Sequence, residues 1–512
     1  MTGRRVGVLV VLCLSMLLMA VDMTVLFTAL PTIARELGPS STQLLWIVDV
    51  YALVSAPLLI TFGTLGDRFG RRRVLLIGYV VFGAASALAA SAGHVVVLIL
   101  ARALLGLGSA MIMPMTLSLT RHTFPDPGER AWAVSAWSAV AGSGMLIGPL
   151  LGGVLVEHFG WNSVFLINVP AMALAVVAAR WLVPESRNTG GGRWDLPSAL
   201  LVTAGVLGVA YAIKESGHGA LLALPTLGCG VIGAVLLVLF VRRQRRLRHP
   251  LLDLGLFADP MLRTAVIAVF VAAASTVGVE LLITQYLQLV LGEGPLGAGL
   301  RMLPLAGAMV LGSLAAAPLL RRAGSRGAIT AGLATVAVSL GILVLLSVQD
   351  RPVLLALSLA GQGLGTAAAL AAASNAIMSA APSDQAGQAA SIDETAMNLG
   401  EGFGVAILGT IAAASYTGLF PALAQVPPDT RHHAAQSLPE AVQVAATLPE
   451  ALGTTVLDAA EKAFVGGLHT TAVVAAGLLV LTALATLLRR SSRALGWRSV
   501  TAEPDNTGRG EP

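Results

Sequence analysis

The sequence predicts an all-α integral membrane protein with fourteen transmembrane helices. Three observations carry the prediction. Hydrophobic residues fill 56% of the 512 positions and charged ones only 12%, against about 25% charge in an ordinary soluble domain, so the chain cannot clothe a water-facing surface. Apolar stretches of about 20 residues, enough to cross about 30 Å of hydrocarbon, recur from end to end. They are continuous rather than alternating, which selects helices over a closed barrel, the other structure that satisfies its backbone in lipid.

The first span, 6–30, starts like a signal peptide, basic then apolar. Its apolar run continues to Leu30 and carries Asp22, so it reads as a retained helix. Spans two and three, 43–63 and 74–93, flank a short basic loop. Spans four to six follow at 95–119, 131–156 and 161–183. Spans seven and eight, 196–214 and 221–241, end on the Arg242–Arg248 cluster. Spans nine to thirteen cover 263–291, 298–320, 327–347, 353–379 and 386–416. A Pro-, Ala- and Gln-rich loop, 417–465, precedes the last span, 466–488, and the polar tail from Ser491 has the composition of a disordered segment. The His432–His433 pair in that loop reads as a solvated pair rather than a metal site. Cys13 and Cys229, in separate spans, form no disulfide framework or metal site.

The arginines sit in short loops between the spans, which argues against a nucleic-acid partner despite a net charge of +5. With the N-terminus inside, the cytoplasmic segments hold Arg4, Arg5, Arg68, Arg71 to Arg73, Arg121, Arg130, Arg187, Arg193, the Arg242–Arg248 cluster, Arg321, Arg322 and Arg326. The outside loops keep only Arg35, Lys214, Arg351, Arg431 and Lys462, with Arg301 just inside a helix. By the positive-inside rule both termini are then cytoplasmic. The arginine-over-lysine and Ala/Gly bias points to a GC-rich bacterial genome and hence to a bacterial cytoplasmic membrane. The chain is expected to act as a monomer.

An internal repeat divides the chain. Gly63-Thr-Leu-Gly-Asp67-Arg68-Phe-Gly70-Arg71-Arg72 follows span two, and a worn copy, Ala317-Pro-Leu-Leu-Arg321-Arg322-Ala-Gly324-Ser-Arg326, follows span ten. Gly106-Leu-Gly108 in span four matches Gly363-Leu-Gly365 in span twelve at nearly the same offset. The chain therefore divides into a six-helix bundle at 1–185, two inserted helices with a basic linker at 186–261, a second six-helix bundle at 262–490, and the tail 491–512. Parallel repeats of this kind place a substrate site near the midplane, between the halves.

Asp67 can accept hydrogen bonds at a helix end, where the neighbouring arginines pair with it and with facing helix termini. Such a cluster, Gly63, Asp67, Arg68, Gly70 and Arg71, can latch two halves in one state and release them in another. In span five, Gly144, Gly148 and Gly152 recur every four residues and let another helix approach closely, while Pro149 bends the same helix.

The first of these stretches resembles the G-x-L-x-D-R-x-G-R-R loop motif of the major facilitator superfamily. The second, with Gly153, resembles the motif marking its antiporter branches, followed by Trp161-Asn-Ser-Val-Phe165-Leu-Ile-Asn168-Val-Pro170. Asp22-x-Thr24-Val25-x-x-x-Ala29-Leu30-Pro31, Trp46-Ile-Val-Asp49-x-Tyr51, Gln285-Tyr286-Leu287-Gln288 and Glu394-Thr395-Ala-x-x-Leu399-Gly400-x-Gly402-x-Gly404 follow in order. Together they are similar to the fourteen-span drug:proton antiporters, in particular the branch exporting quaternary ammonium biocides and dyes. The resemblance implies a major facilitator fold and alternating access, with a proton gradient as the energy source and no cofactor.

Charges inside spans are costly, about 2.5–3.5 kcal/mol each on insertion scales, and mark function. Asp22, Arg102 and Glu394 are the candidates for proton coupling. Asp49, Trp46, Glu280, Tyr286, Asn398 and Glu401 are candidates for binding a lipophilic, often cationic, substrate. Glu394, Asn398 and Glu401 share one helix face. A cation in such a cavity favours ionised carboxylates and competes with protons, which is an antiport mechanism. The plainer alternative is that Asp22 or Glu394 simply pairs with Arg102. Trp46, Tyr51, Trp132, Trp137 and Tyr286 can offer cation–π faces, although Trp132 also suits an interfacial belt, and Met111, Met113 and Met115 plain core or lipid contact. No G-x-x-x-x-G-K-[ST] nucleotide loop or HExxH is present, so the chain is expected not to be an enzyme. Export of a self-made antibiotic or metabolite, neutral or anionic and held by Arg102 and Arg301, is the alternative within transport.

Overall fold

The computed structural model describes residues 3–488 apart from 125, 187–194, 217–222, 248–249, 252–253, 381–385 and 424. Arg187, Arg193, Arg248 and the tail from Ser491 lie outside the described residues, as do the side chains of Asp67, Arg121 and Arg130.

Among the described residues every long element is a helix. The first half comprises α1 (Gly3–Leu37), α2 (Ser41–Phe69), α3 (Arg71–Ala90), α4 (Val95–Thr123), α5 (Pro127–Phe159), the turn α6 (Ser163–Leu166) and α7 (Asn168–Leu182). The insert is α8 (Leu196–Ser216) and α9 (Leu224–Gln244). The second half is α10 (Pro260–Gln285), a π-helical turn at Tyr286–Val290, α11 (Pro295–Arg301), α12 (Leu303–Leu343), α13 (Pro352–Ala380), α14 (Ala386–Leu419), α15 (Pro428–Ala434), α16 (Leu438–Ala445) and α17 (Glu450–Leu488).

Among the described residues, thirteen stretches are long and apolar enough to cross a membrane, and a shorter apolar stretch, Ile147–Phe159, belongs to α5. The predicted fourteen-helix architecture is therefore observed. Starts are fixed by local chemistry. Ser40 and Gln43 form a reciprocal capping box at α2, and the Asp259 carboxylate accepts from Met261 N at 2.7 Å to start α10.

Two boundaries differ from the sequence reading. Predicted spans ten and eleven, 298–320 and 327–347, are the two helical arms of α12, which meet at a turn on Gly324, where φ is 65°, with no longer loop between them. The segment read as a loop at 417–465 contains α15, α16 and the first turns of α17. Asp458, Glu461 and Lys462 lower the apolar signal of 450–465, but this Ala-rich segment still favours a helix.

The two halves repeat their packing. A Cβ on Gly106 of α4 would strike the backbone of Tyr51 in α2, and one on Gly108 would strike Phe82 in α3. In the second half, a Cβ on Gly363 of α13 would strike the Leu305 carbonyl, and one on Gly365 would meet Gly332 and Val336, on either side of the Gly324 kink. Each half thus rests its fourth span on its second and third through the same glycine pair. Each half also has its own large apolar core.

We term the end of the bundle bearing Arg68–Arg73, Arg242–Arg246 and Arg321–Arg326 the basic face, and the end bearing α15 and α16 the hairpin face. Hydrogen bonds between the halves run from mid-bundle, where Thr395 donates to the Ala56 carbonyl at 3.4 Å, to the hairpin face, where Leu296 N donates to Glu157 at 3.3 Å. Gln288 to the Thr28 carbonyl, at 3.1 Å, lies between them.

Candidate functional site

Three groups of ionisable residues lie within the spans. In the first half, α1 supplies Asp22, α4 Arg102 and α7 Asn168. Arg102 Nη1 donates to Asp22 Oδ2 at 3.0 Å and Asn168 Nδ2 to Asp22 Oδ1 at 2.8 Å. Arg102 Nε donates to the Ile47 carbonyl at 3.1 Å, and its Cζ lies 4.8 Å from the centre of the Tyr51 ring. The Asp22 side chain is fully buried and that of Arg102 is 2% exposed. Both charges are therefore compensated and hydrogen-bonded, the condition for a buried pair to persist. The pairing of Asp22 with Arg102, held open in the sequence as the plain alternative, is observed. The sequence quoted Asn168 only as a motif letter and offered Tyr51 as a cation–π face; both belong to the group, and the Tyr51 face is taken by Arg102.

The second group gathers on α10 and α14. Glu280 of α10 is buried, and Glu394, Asn398 and Glu401 lie along α14. Close packing brings the two helices together. A Cβ on Gly404 would collide with the Ala274 backbone, and one on Gly400 with the Phe270 carbonyl. Glu280 and Glu394 both lie within Coulombic range of Glu401. Among the described residues no lysine or arginine forms an ion pair with any of the three, and Glu401 Oε2 is buried without a hydrogen-bond partner. Asn398 Nδ2 donates to the Glu394 carbonyl at 2.9 Å, and its Oδ1 accepts from Ser55 Oγ of α2 at 3.3 Å. Asn398 thus ties the carboxylate face of α14 to the first half. Glu401 is also near enough to Tyr51 to act on its hydroxyl, so the two groups face each other across the seam between the halves.

Asp49 and Trp46 belong to neither group. Both turn toward the insert. Lys214 of α8 donates to Asp49 Oδ1 at 2.7 Å, with both side chains fully buried, and its Nζ lies 3.4 Å from the centre of the Trp46 ring. This corrects the sequence reading of Lys214 as an outside-loop residue. Helix α8 runs on through Ser216, and the ammonium finds a carboxylate and an aromatic face in the bundle instead of snorkelling to water.

Tyr286 is also elsewhere. It is 1% exposed within the second half's core, and its hydroxyl donates to the Ser347 carbonyl at 2.7 Å, so its ring offers no free face to a bulky cation. Trp132 is 56% exposed on the bundle surface, and Trp137 packs on Leu9 and Met16 of α1. Arg301, considered for an anion, is held between Glu293 at 2.5 Å and Asp350 at 2.7 Å.

The basic loop adopts a specific arrangement within the first half. Gly70, at φ 113°, presents its α-carbon to the Glu185 carboxyl so closely that a Cβ would lie 2.7 Å from an oxygen. Arg72 N donates to Glu185 Oε1 at 3.2 Å, and Arg71 N to the Ser186 carbonyl at 3.0 Å. Arg68 is exposed and stacks on Phe69. These are contacts that Gly70, Arg71 and Arg72 make in this structure. Their partner is the segment just after α7, and Glu185 was not among the sequence candidates. Gly63 lies beside Pro114 of α4.

In α5, Gly144, Gly148 and Gly152 face Ala20, Thr24 and Thr28 of α1, each too close to admit a Cβ. Gly153, one position on, faces the Leu296 backbone of α11, and Gly299 abuts the Pro149 carbonyl. One helix therefore carries two close-contact seams, one within the first half and one between the halves.

Three comparisons with known proteins bear on this arrangement. The Major Facilitator Superfamily profile matches residues 12–405. LfrA, a multidrug efflux pump of Mycolicibacterium smegmatis, is 42% identical over 481 residues, covering 94% of this chain and 95% of that protein. The methyl viologen resistance protein SmvA of Salmonella typhimurium is 37% identical over 473 residues, covering 92% of this chain and 95% of that protein. A solved bacterial homologue of the human lysosomal transporter Spinster superposes with a TM-score of 0.70 at 17% identity, covering 96% of this chain and 100% of that one. That last likeness concerns the fold alone.

Proposed function

The chain belongs to the Major Facilitator Superfamily, a transporter rather than an enzyme, and on that footing we propose that it exports lipophilic organic cations in exchange for protons. Relatives that it matches over nearly their whole length are a multidrug efflux pump and a resistance protein for methyl viologen, an organic cation. One observation carries the cationic part of the reading. Glu280, Glu394 and Glu401 converge at the seam with no basic side chain paired to them among the described residues, so the charge they lack must come from a cargo or from protons. The arginines that an anion would need are committed, Arg102 to Asp22 and Arg301 to Glu293 and Asp350.

The coupling role falls to Asp22. A proton added to this carboxylate removes the charge that holds Arg102. The guanidinium is then left to its contacts with the Ile47 carbonyl and the Tyr51 face, which lie on α2 at the seam. A cargo cation leaving the glutamates frees them for protons, and the reverse exchange reloads the site. Export needs the halves to part on the hairpin face and close on the basic face. With the basic face in the cytoplasm, as positive-inside placement demands, an inward proton gradient supplies about 1.36 kcal/mol per pH unit, and 100 mV about 2.3 kcal/mol per charge.

The test uses purified protein in liposomes with an imposed proton gradient, following ethidium and an internal pH dye together. Opposite, coupled movement of dye and proton is expected. Dye movement indifferent to the gradient would remove proton coupling. Transport of neutral drugs with none of any organic cation would replace the cationic reading with a metabolite exporter.

A further inference from the structure

The Asp49–Trp46–Lys214 group has the chemistry of a filled cation site. A carboxylate oxygen lies 2.7 Å from an ammonium, and an indole face lies 3.4 Å from the same nitrogen. These are the two elements with which a protein holds an organic ammonium, a counter-charge and a π face. The second carboxylate oxygen, Asp49 Oδ2, is buried and has no hydrogen-bond partner. The pair is thus held by one oxygen only, and the other keeps acceptor capacity. The occupant arrives on α8, a helix outside both six-helix bundles. Val206 and Ala210 of α8 pack on Leu53 of α2, with Leu399 and Phe403 of α14 beside them, so α8 lies along the seam that joins the two halves.

We propose that Lys214 is a tethered cation that occupies a second cation-binding cage of this transporter, formed by Asp49 and Trp46, and that cargo competes with it for that cage. The proposal rests on the cation-export reading and adds to it a specificity-determining residue in the inserted helix pair. A group on the same chain competes at an effective concentration on the order of millimolar, so a cation must bind well to displace it. Weakly binding ammonium ions are turned away from the cage, while hydrophobic ones that also fill the seam displace the lysine. Displacement releases α8 from α2, which couples occupation of the seam to movement of the insert.

The chain has only two lysines, Lys214 and Lys462. Lys462 is exposed, which makes it an internal control for chemical labelling. Reconstituted protein is pulsed with acetic anhydride, with and without tetraphenylphosphonium at saturation, and acetylation at each lysine is read by mass spectrometry. Lys462 is expected to label at once in both samples, and Lys214 to label about tenfold faster with the cation present. In parallel, tetraphenylphosphonium binding is measured by calorimetry on wild type, Lys214→Met and the electroneutral double variant Asp49→Asn/Lys214→Met. The single variant leaves Asp49 uncompensated and is expected to bind about tenfold tighter; the double variant returns to the wild-type affinity or weaker. Lys214 labelling unchanged at saturating cation, together with equal affinities in wild type and Lys214→Met, overturns the proposal while leaving the cation-export reading intact. Absence of binding in wild type, with binding gained by Lys214→Met, overturns the cation-export reading and supports the cage. Absence from both overturns both.

Discussion

At the scale of single residues, the molecule keeps its intramembrane charges in two conditions. Asp22, Arg102 and Asn168 form a closed set in which each carboxylate oxygen has a donor, whereas Glu280, Glu394 and Glu401 gather with no basic side chain paired to them among the described residues. The first condition suits a switch and the second a receptor. Asp22→Asn keeps the volume and the Asn168 neighbour and removes the protonatable group. It is expected to reduce proton-coupled dye export to the liposome background while the protein still inserts and purifies normally, as read by the paired dye and pH traces. Glu280→Gln or Glu394→Gln removes one of three carboxylates that a cation would share. Each is expected to weaken ethidium transport about tenfold and to leave a neutral substrate within about twofold; equal losses for both substrates would mark the glutamate as structural. The sequence exposed every one of these acids, because a charge inside an apolar run stands out against its neighbours. It offered Arg102 as a partner for Asp22 but not Asn168, nor Lys214 as the partner of Asp49. Lys214 directly follows Ile213, the last apolar position of α8, where hydropathy alone assigns it to water, and only the packing of α8 on α2 reveals Asp49 beside it. Glu185 escaped for a similar reason: it lies after α7 in what reads as a polar loop, and its contact with Gly70 spans 115 residues of sequence.

At the scale of helices, glycine placement decides which pairs approach. A side chain at Gly148 would collide with Thr24, so Gly148→Val must push α5 off α1 or twist it. The variant is expected to lower the melting temperature by about 5 °C or more and to impair transport, measured by thermal unfolding in detergent beside the liposome assay. The i, i+4 spacing of these glycines was legible in the sequence, though not which helix they would meet. The insert offers a second case. At its basic end Asp195 accepts from Arg243 at 2.9 Å and from Ser198, and Gln244 joins the same hydroxyl at 2.8 Å. Burial pushes the Asp195 carboxyl up, but the hydrogen bonds from Arg243 and Ser198 outweigh it and hold the carboxyl below the usual carboxylate range. A group depressed in the folded state stabilises fully above its unfolded value, about 3.9, and loses that contribution as pH falls through the folded value. Asp195→Asn is therefore expected to melt about 2 °C below wild type at pH 7, with the gap shrinking as pH is taken below about 4. A gap independent of pH would assign the effect to packing.

For the whole molecule, the contacts between the halves join α1, α2 and α5 on one side to α10, α11 and α14 on the other, with the π-helical turn at Gln288 and the α15–α16 hairpin adding to them. Gly402 lies against Leu53 and Gly409 against Leu45, so the α2–α14 seam is closed by glycine-to-leucine packing from mid-bundle toward the hairpin face. Alternating access requires that seam to open. Ser55 and Asn398 meet across it at 3.3 Å, so Ser55→Cys/Asn398→Cys is expected to form a disulfide on mild oxidation and to stop transport, with activity restored by a thiol reductant. Undiminished transport by fully cross-linked protein would rule out opening at that point. The overall architecture was the most legible level of all, since apolar length counts helices and the glycine pairs at Gly106 and Gly363 reveal the repeat. The helical hairpin within 417–465 was not, because hydropathy measures affinity for lipid and is silent about helices in water.

That hairpin has a practical consequence. Gln443 of α16 donates to the Ala34 carbonyl of α1 at 3.0 Å, and Ser41 of α2 donates to the Gln436 carbonyl at 3.4 Å, while Leu438, Ala441 and Ala445 are buried in the second half's core. The hairpin belongs to one half and leans on the other, so its outer surface is whole only while the two stay together. An antibody fragment raised against that composite surface would bind one conformation and release the other. It would count transport cycles from the hairpin face without entering the membrane.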